Sequence, residues 1–298
     1  MRNRLRSTFT GQLDGPPDWV LALDQGDDAG FFAPGSATWA VHGQTATIVA
    51  GVRALLIQAL HPGALAGVHD WSRYREDPLG RLAGTIRWIF TVTYADTATA
   101  VSASNWVLRL HERVVGSYID AQGLERPYAA NDPELLSWVH LAFTDSFLAT
   151  AKLWSDPIPG GPDAYVREWA KAGELMGVPN PPRSEAELRD QLHAFVEAGI
   201  LKSDERVAET VKFLRRPPLA RSMMPGYRVL FDGAVASIPD EYRRMLGLSP
   251  TRLGPVALPT VGSTRLVLKV IGNMLGTGRG PSELAARRRL DRLAESAA

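Results

Sequence analysis

The chain has 298 residues, 45% of them hydrophobic and 22% charged, with a formal net charge of +1; this is the balance of an ordinary globular protein and excludes the strongly basic surface of a nucleic-acid binder. It contains no cysteine, which excludes disulfides, thiolate zinc centres, iron–sulfur ligation and a cysteine nucleophile. The basic N-terminal residues have no apolar run behind them, so no secretory signal is expected and the expected location is the cytoplasm.

Residues 1–36 are rich in Gly, Pro and Asp and read as an N-terminal arm. "PGSATW" then offers a helix start with Ser36 as N-cap, and the periodicity predicts a long helix from about Thr38 to Leu60. Its most apolar part, "ATIVAGVRALLIQAL", is interrupted by Arg53 and is shorter than the roughly 20 residues of a bilayer span, so a buried core helix is expected, without stable membrane insertion. His61-Pro62-Gly63 breaks it, and a short helix follows to about Val68. Ala64 and Val68 give that helix a small, smooth face, suited to a flat ligand or to another helix. Asp77-Pro78 marks a turn. Helices are predicted near 80–95, 97–121, 132–153, 162–177, 184–199, 204–216, 218–236 and 249–275, nearly all separated by Pro and Gly clusters. Alternation of period two is almost absent. The expectation is an all-α, single multi-helix domain over residues 37–276 that encloses a haem-sized apolar pocket. Residues 277–298 read as a C-terminal tail whose arginine run is a solvated face.

Three helices aim polar groups at this core. In "LRLHERVVGSY" the apolar residues Val107, Leu110, Val114, Val115 and Tyr118 recur at helical spacing, and His111 falls on their side while Asn105, Arg109, Glu112 and Arg113 fall opposite. In "DPELLSWVHLAFTDSFLATA", His140 shares a face with Leu136, Phe143 and Phe147. In "GRLAGTIRWIFTV", Arg81 and Thr85 are one turn apart and share a face with Trp88 and Val92. Each group has an ordinary reading as a locally satisfied core residue. Together they suit one shared ligand. A lone deep imidazole suits haem iron, an arginine suits a propionate or another anion, and a threonine hydroxyl suits a hydrogen bond to bound oxygen.

Other chemistries lack their residues. No histidine has Glu three positions before it, as a di-iron bundle requires. His-Glu-x-x-His is absent, because Arg113, Val114 and Val115 follow His111-Glu112. Gly276, Gly278 and Gly280 follow a predicted helix and not a strand, which fits a linker better than a phosphate loop. There is no Gly-x-Ser-x-Gly elbow.

The segments "PGSATWAVHGQ", "LLIQALHPGALAGVHDWSRYREDPLGRLAGT", "LHERVVG", "YAANDPELLSWVHLAFTDSFL" and "ELMGVPNPP", in this order, resemble the catalytic domain shared by rubber oxygenase (latex clearing protein) and the MpaB-type oxygenases. The resemblance runs from about Pro34 to Leu275. It implies an all-helical fold, one haem b with its iron, and O2-dependent chemistry on an apolar substrate. It further implies that His111 is the iron ligand and that Arg81 and Thr85 act in the haem pocket. His140 is then a supporting group or an alternative ligand, and Ala64, Val68, Val107 and Val114 are lining residues. The sequence departs from rubber oxygenase at Gly84, where that enzyme has a lysine, and its distal glutamate has no counterpart near Leu65. Polyisoprene cleavage is accordingly not expected. The resulting expectation is a haem b-dependent oxygenase acting on a small apolar substrate. A non-catalytic haem or small-ligand binding protein is the alternative, and a helical interaction module with ordinary core histidines is the third reading. The oligomeric state is not encoded in any of these features.

Overall fold

The computed structural model describes residues 16–71, 78–250, 252–253, 256–257, 259–276 and 279–297. The stretch 72–77 lies outside the described residues, as do the side chains of Pro78, Leu79, Arg81 and Leu82.

In chain order the elements are α1 (Asp18–Leu21), α2 (Ala37–His42), α3 (Thr47–Gln58), α4 (Pro62–Trp71), α5 (Pro78–Tyr94) and α6 (Thr97–His111). A hairpin follows, β1 (Val115–Ile119) and β2 (Glu125–Ala129), and then α7 (Pro133–Trp154), α8 (Gly161–Leu175), α9 (Glu185–Glu197), α10 (Glu205–Arg215), α11 (Met224–Ser237) and α12 (Asp240–Met245). A two-residue pair, β3 (Arg252–Leu253) and β4 (Val256–Ala257), precedes α13 (Thr260–Leu275) and α14 (Pro281–Ala297). The fold is all-α apart from these two short antiparallel pairs, as the helical periodicity predicts.

The predicted 38–60 helix is divided. Ser36 does cap its start, its Oγ accepting from Trp39 N at 3.3 Å, but α2 stops at His42, with Gly43 as its C-cap. A new start follows, where the Thr47 hydroxyl donates to the Gln44 carbonyl at 2.8 Å. The second difference is larger. The predicted 97–121 helix ends at His111, and β1 pairs with β2 in the register Val115↔Ala129 to Ile119↔Glu125. The turn is organised by Asp120, whose carboxylate accepts the backbone N–H groups of Gln122 and Leu124 at 2.9 and 2.8 Å and the Arg126 Nε at 3.0 Å. Val114, Val115, Tyr118 and Ile119 are β-branched or aromatic and fit a half-buried strand as well as a helical stripe, so spacing alone does not separate the two.

The core is built on α3 lying against α7. Trp138 is fully buried there, its indole N–H donating to the Gln58 carbonyl at 3.1 Å. Arg53 is buried on the same helix pair and is satisfied by Asp145 Oδ2 at 2.6 Å and Ser146 Oγ at 2.9 Å. No single helix among the described residues is long and apolar enough to cross a membrane. α3 and α4 together reach that length, but they are bent by 108° at the His-Pro break.

Candidate functional site

The helices α5 and α6 are joined by only Ala95 and Asp96, and Asp96 caps α6 by accepting from Thr99 N at 3.3 Å. They pack on each other as an antiparallel hairpin, whose register is set by the Trp88 indole N–H donating to Ser104 Oγ at 3.3 Å. Three residues outward from this bond, Thr85 stands level with Val107. Seven residues outward, Arg81 stands level with His111. The arginine, the hydroxyl and the imidazole therefore belong to one end of the hairpin.

That end emerges from the core. On α5, Val92 is fully buried, Trp88 is half-buried and Thr85 is exposed. On α6, Ala100 and Ser104 are fully buried, whereas Val107 and His111 are half-buried. Arg109, Glu112 and Arg113 are exposed, but so is Leu110, at 44%. The two inward stripes lose their cover at the same level. Val114 brings α4 to this end, since its Cγ1 lies 3.5 Å from the point that a Cβ on Gly67 would occupy. Val68, half-buried, is next to Gly67, and Ala64, buried, lies one turn earlier. The exposed Trp71 closes α4 with its indole N–H on the Val115 carbonyl at 2.9 Å. Six of the eight named positions, Val68, Arg81, Thr85, Val107, His111 and Val114, thus belong to the open end by their place in the fold.

His140 belongs to the seam between α7 and α8. Phe143, one turn along α7, stacks on Trp169 of α8 at 5.5 Å, and Trp169 meets Trp88 edge-on at 6.1 Å. One turn beyond that layer, the missing side chain of Gly173 makes room for the His140 ring, whose Nε2 and Cε1 lie 3.1 and 3.0 Å from where a Cβ would be. Nε2 of His140 is buried without a hydrogen-bond partner, and burial lowers the ring pKa to about 4. The side chain is therefore a neutral imidazole with an uncommitted nitrogen. The ring lies against Gly173, beside Pro181.

One buried histidine escapes the sequence reading. His42 is 1% exposed and ringed by Phe143, Phe147, Tyr165 and Trp169. The Thr93 hydroxyl spends its proton on the Ile89 carbonyl at 2.7 Å, so it accepts from His42 Nδ1, also at 2.7 Å. Nε2 is then the acceptor for the Tyr165 hydroxyl at 3.1 Å. Burial lowers the His42 pKa to about 3 and raises that of Tyr165. This network ties α2, α5 and α8 together at the closed end of the hairpin. Its sequence signal was weak, a histidine three residues after Trp39 in the apolar stripe of a short helix.

Both buried histidines bind fewer protons folded than unfolded between the ordinary value of 6.5 and their lowered values. Stability from their neutral burial is whole above pH 6.5 and is lost as pH falls, at about 1.4 kcal/mol per pH unit for each ring. The urea midpoint is therefore expected to fall steadily from pH 6.5 to pH 5, above the carboxylate range. A flat midpoint over that window contradicts the assignment.

Among the described residues no three His, Asp or Glu side chains gather as a metal site. At this end His111 offers an imidazole, which suits a metal whose other ligands come with a macrocycle. A sequence model of the family described as ER-bound oxygenase mpaB/B'/Rubber oxygenase, catalytic domain, matches residues 39–272. No curated protein and no solved structure matches the chain.

Proposed function

Because the chain belongs to the mpaB/B' and rubber oxygenase catalytic-domain family, and so is an oxygenase domain that takes O2 and an oxidisable substrate, we propose that it works with haem b at the open end of the α5–α6 hairpin. The observation that carries this reading is the shared loss of cover: two inward stripes that are closed at Val92 and Ala100 open together at Thr85 and His111. A half-buried imidazole beside apolar residues is a donor set that would suit a porphyrin-bound iron. Haem, when bound, would supply the redox chemistry, and the protein would supply an iron ligand and the polarity of the pocket.

His111 is assigned to hold the iron. Thr85, a donor and acceptor on the facing helix, would supply a hydrogen bond on the polar side of the haem pocket. Arg81, level with His111, is assigned to a propionate. Val107, Val114, Ala64 and Val68 line the apolar walls, and His140 acts from the adjoining seam as a supporting group. A small apolar substrate is favoured by these walls and by exposed Leu110 and Trp71 beside them. With Gly84 and Leu65 at the positions discussed above, polyisoprene is not the substrate we assign. A chain without cysteine fits the reducing cytoplasm.

The haem-loaded protein, given a reductant and a panel of small apolar alkenes, is expected to consume O2. Thr85→Val is expected to slow that uptake about tenfold or more while leaving haem content unchanged, the usual scale for loss of one positioned donor. Full haem loading with no substrate-dependent uptake across the panel would favour the second reading, a non-catalytic haem binder.

A further inference from the structure

A cleft of about 290 Å³ opens between the first half of α7 and the second half of α9, away from α5 and α6. Leu141, Pro179, Ala194 and Phe195 give it an apolar floor, and Glu134, Ser137 and Gln191 form a polar rim, the Gln191 amide donating to the Asn180 carbonyl at 3.2 Å. The Ser137 hydroxyl donates to the Pro133 carbonyl at 2.7 Å, so it offers the cleft lone pairs only. The Glu134 side chain is 52% exposed and likewise offers acceptors.

A buried imidazole stands behind this rim. His61 is fully buried and 6.0 Å from the Phe195 ring. The amides of Gly63 and Ala64 point at its Nδ1, at 3.2 and 3.4 Å, so the ring proton of the neutral form sits on Nε2. Nε2 lies 3.3 Å from Glu134 Oε1, too poorly aligned for a full hydrogen bond. The contact is still close enough that the imidazole holds the Glu134 carboxyl below the usual carboxylate range. The cleft thus presents an ionised, incompletely satisfied carboxylate and a hydroxyl that only accepts, over an apolar floor.

We propose that this cleft binds a small organic cation, a primary ammonium on a short apolar body. The ammonium has three donors and no acceptor, which matches the Glu134 carboxylate and the Ser137 hydroxyl on the rim. Its apolar part would lie on Leu141, Ala194 and Phe195, with the Phe195 ring adding attraction for the cation. The site is separate from the oxygenase site and does not depend on haem.

The test is calorimetric titration of the full-length protein at pH 7 with n-hexylammonium chloride and, separately, with n-hexanol. Saturable binding of the ammonium is expected, with the alcohol at least tenfold weaker. Glu134→Gln is expected to weaken the ammonium at least tenfold, and Ala194→Trp, which fills the floor without touching Glu134, to abolish its binding. Circular dichroism shows whether each variant keeps the wild-type fold. Equal affinity for alcohol and ammonium, no saturable binding of either, or undiminished binding in a folded variant would overturn the proposal. Neither substitution touches α5 or α6, so haem content read from the same samples separates a failure of this cleft from a failure of the oxygenase site.

Discussion

His111→Ala is expected to purify folded and to lose haem. The residue ends α6, where the chain leaves the core and the next element, β1, is held by its own pairing with β2 and by Trp71. Its removal therefore costs little packing, while the imidazole that would hold the iron is gone. Haem affinity should fall at least tenfold, which is about 1.4 kcal/mol or more. Free imidazole added to the variant should restore the visible spectrum by occupying the space left behind. His140→Ala is the informative companion. Its ring fills the notch over Gly173, so the variant is expected to lose stability by roughly 1–3 kcal/mol yet to keep its haem. Full haem occupancy in His111→Ala together with loss in His140→Ala would move the ligand to the α7–α8 seam.

Arg289→Ala is expected to give the largest loss of stability of any single change considered. Arg289 is 0% exposed, inside a sequence run of three arginines. Its Nη1 donates to the Leu23 carbonyl at 2.6 Å, Nη2 to Tyr94 at 2.8 Å and to Ala29 at 3.4 Å, and Nε to Asp28 at 3.1 Å. One guanidinium fork thus joins α14 to the segment after α1 and to the end of α5. Gly30 shows how tightly these pieces meet, because a Cβ there would lie 2.1 Å from the Ala95 carbonyl. Truncation leaves these carbonyls facing a cavity, and roughly 3–5 kcal/mol is expected to be lost, as when one partner of a buried charged network is removed. Arg289→Lys should recover part of this, since a single ammonium cannot span the fork. The measurement is the urea midpoint, and a change below about 1 kcal/mol would contradict the anchor. Because Tyr94 and Ala95 form the closed end of the α5–α6 hairpin, Arg289→Ala is also expected to weaken haem retention.

Arg289 shows what patterning conveys and what it leaves out. "ARRRLDR" reads as a solvated basic face, because periodicity reports which side of a helix is polar and not which polar side chain finds carbonyls to satisfy it. The segments set apart as arm and tail meet each other through this residue and Arg292, which donates to the Asp24 and Gly26 carbonyls at 3.0 and 2.9 Å. The β1–β2 hairpin was hidden for a different reason. Its apolar residues fit a period of 3.6 and a strand equally, and the deciding interactions, the Asp120 turn and the cross-strand bonds, are non-local. The helical class was legible because Pro and Gly punctuate long periodic segments. Spacing put His111 on an inward helical face, but the helix ends at that residue and leaves it half-buried, with Leu110 exposed beside it. His42 was passed over because its partners, Thr93 and Tyr165, lie 51 and 123 residues away.

The central claim is that the open end of the α5–α6 hairpin holds one haem through His111. Stepwise addition of haemin to the haem-free protein tests it most directly. A sharp break at one equivalent is expected, with a visible spectrum of an imidazole-ligated haem. Linear, unsaturable uptake, or saturable uptake whose spectrum is unchanged by His111→Ala, would contradict it.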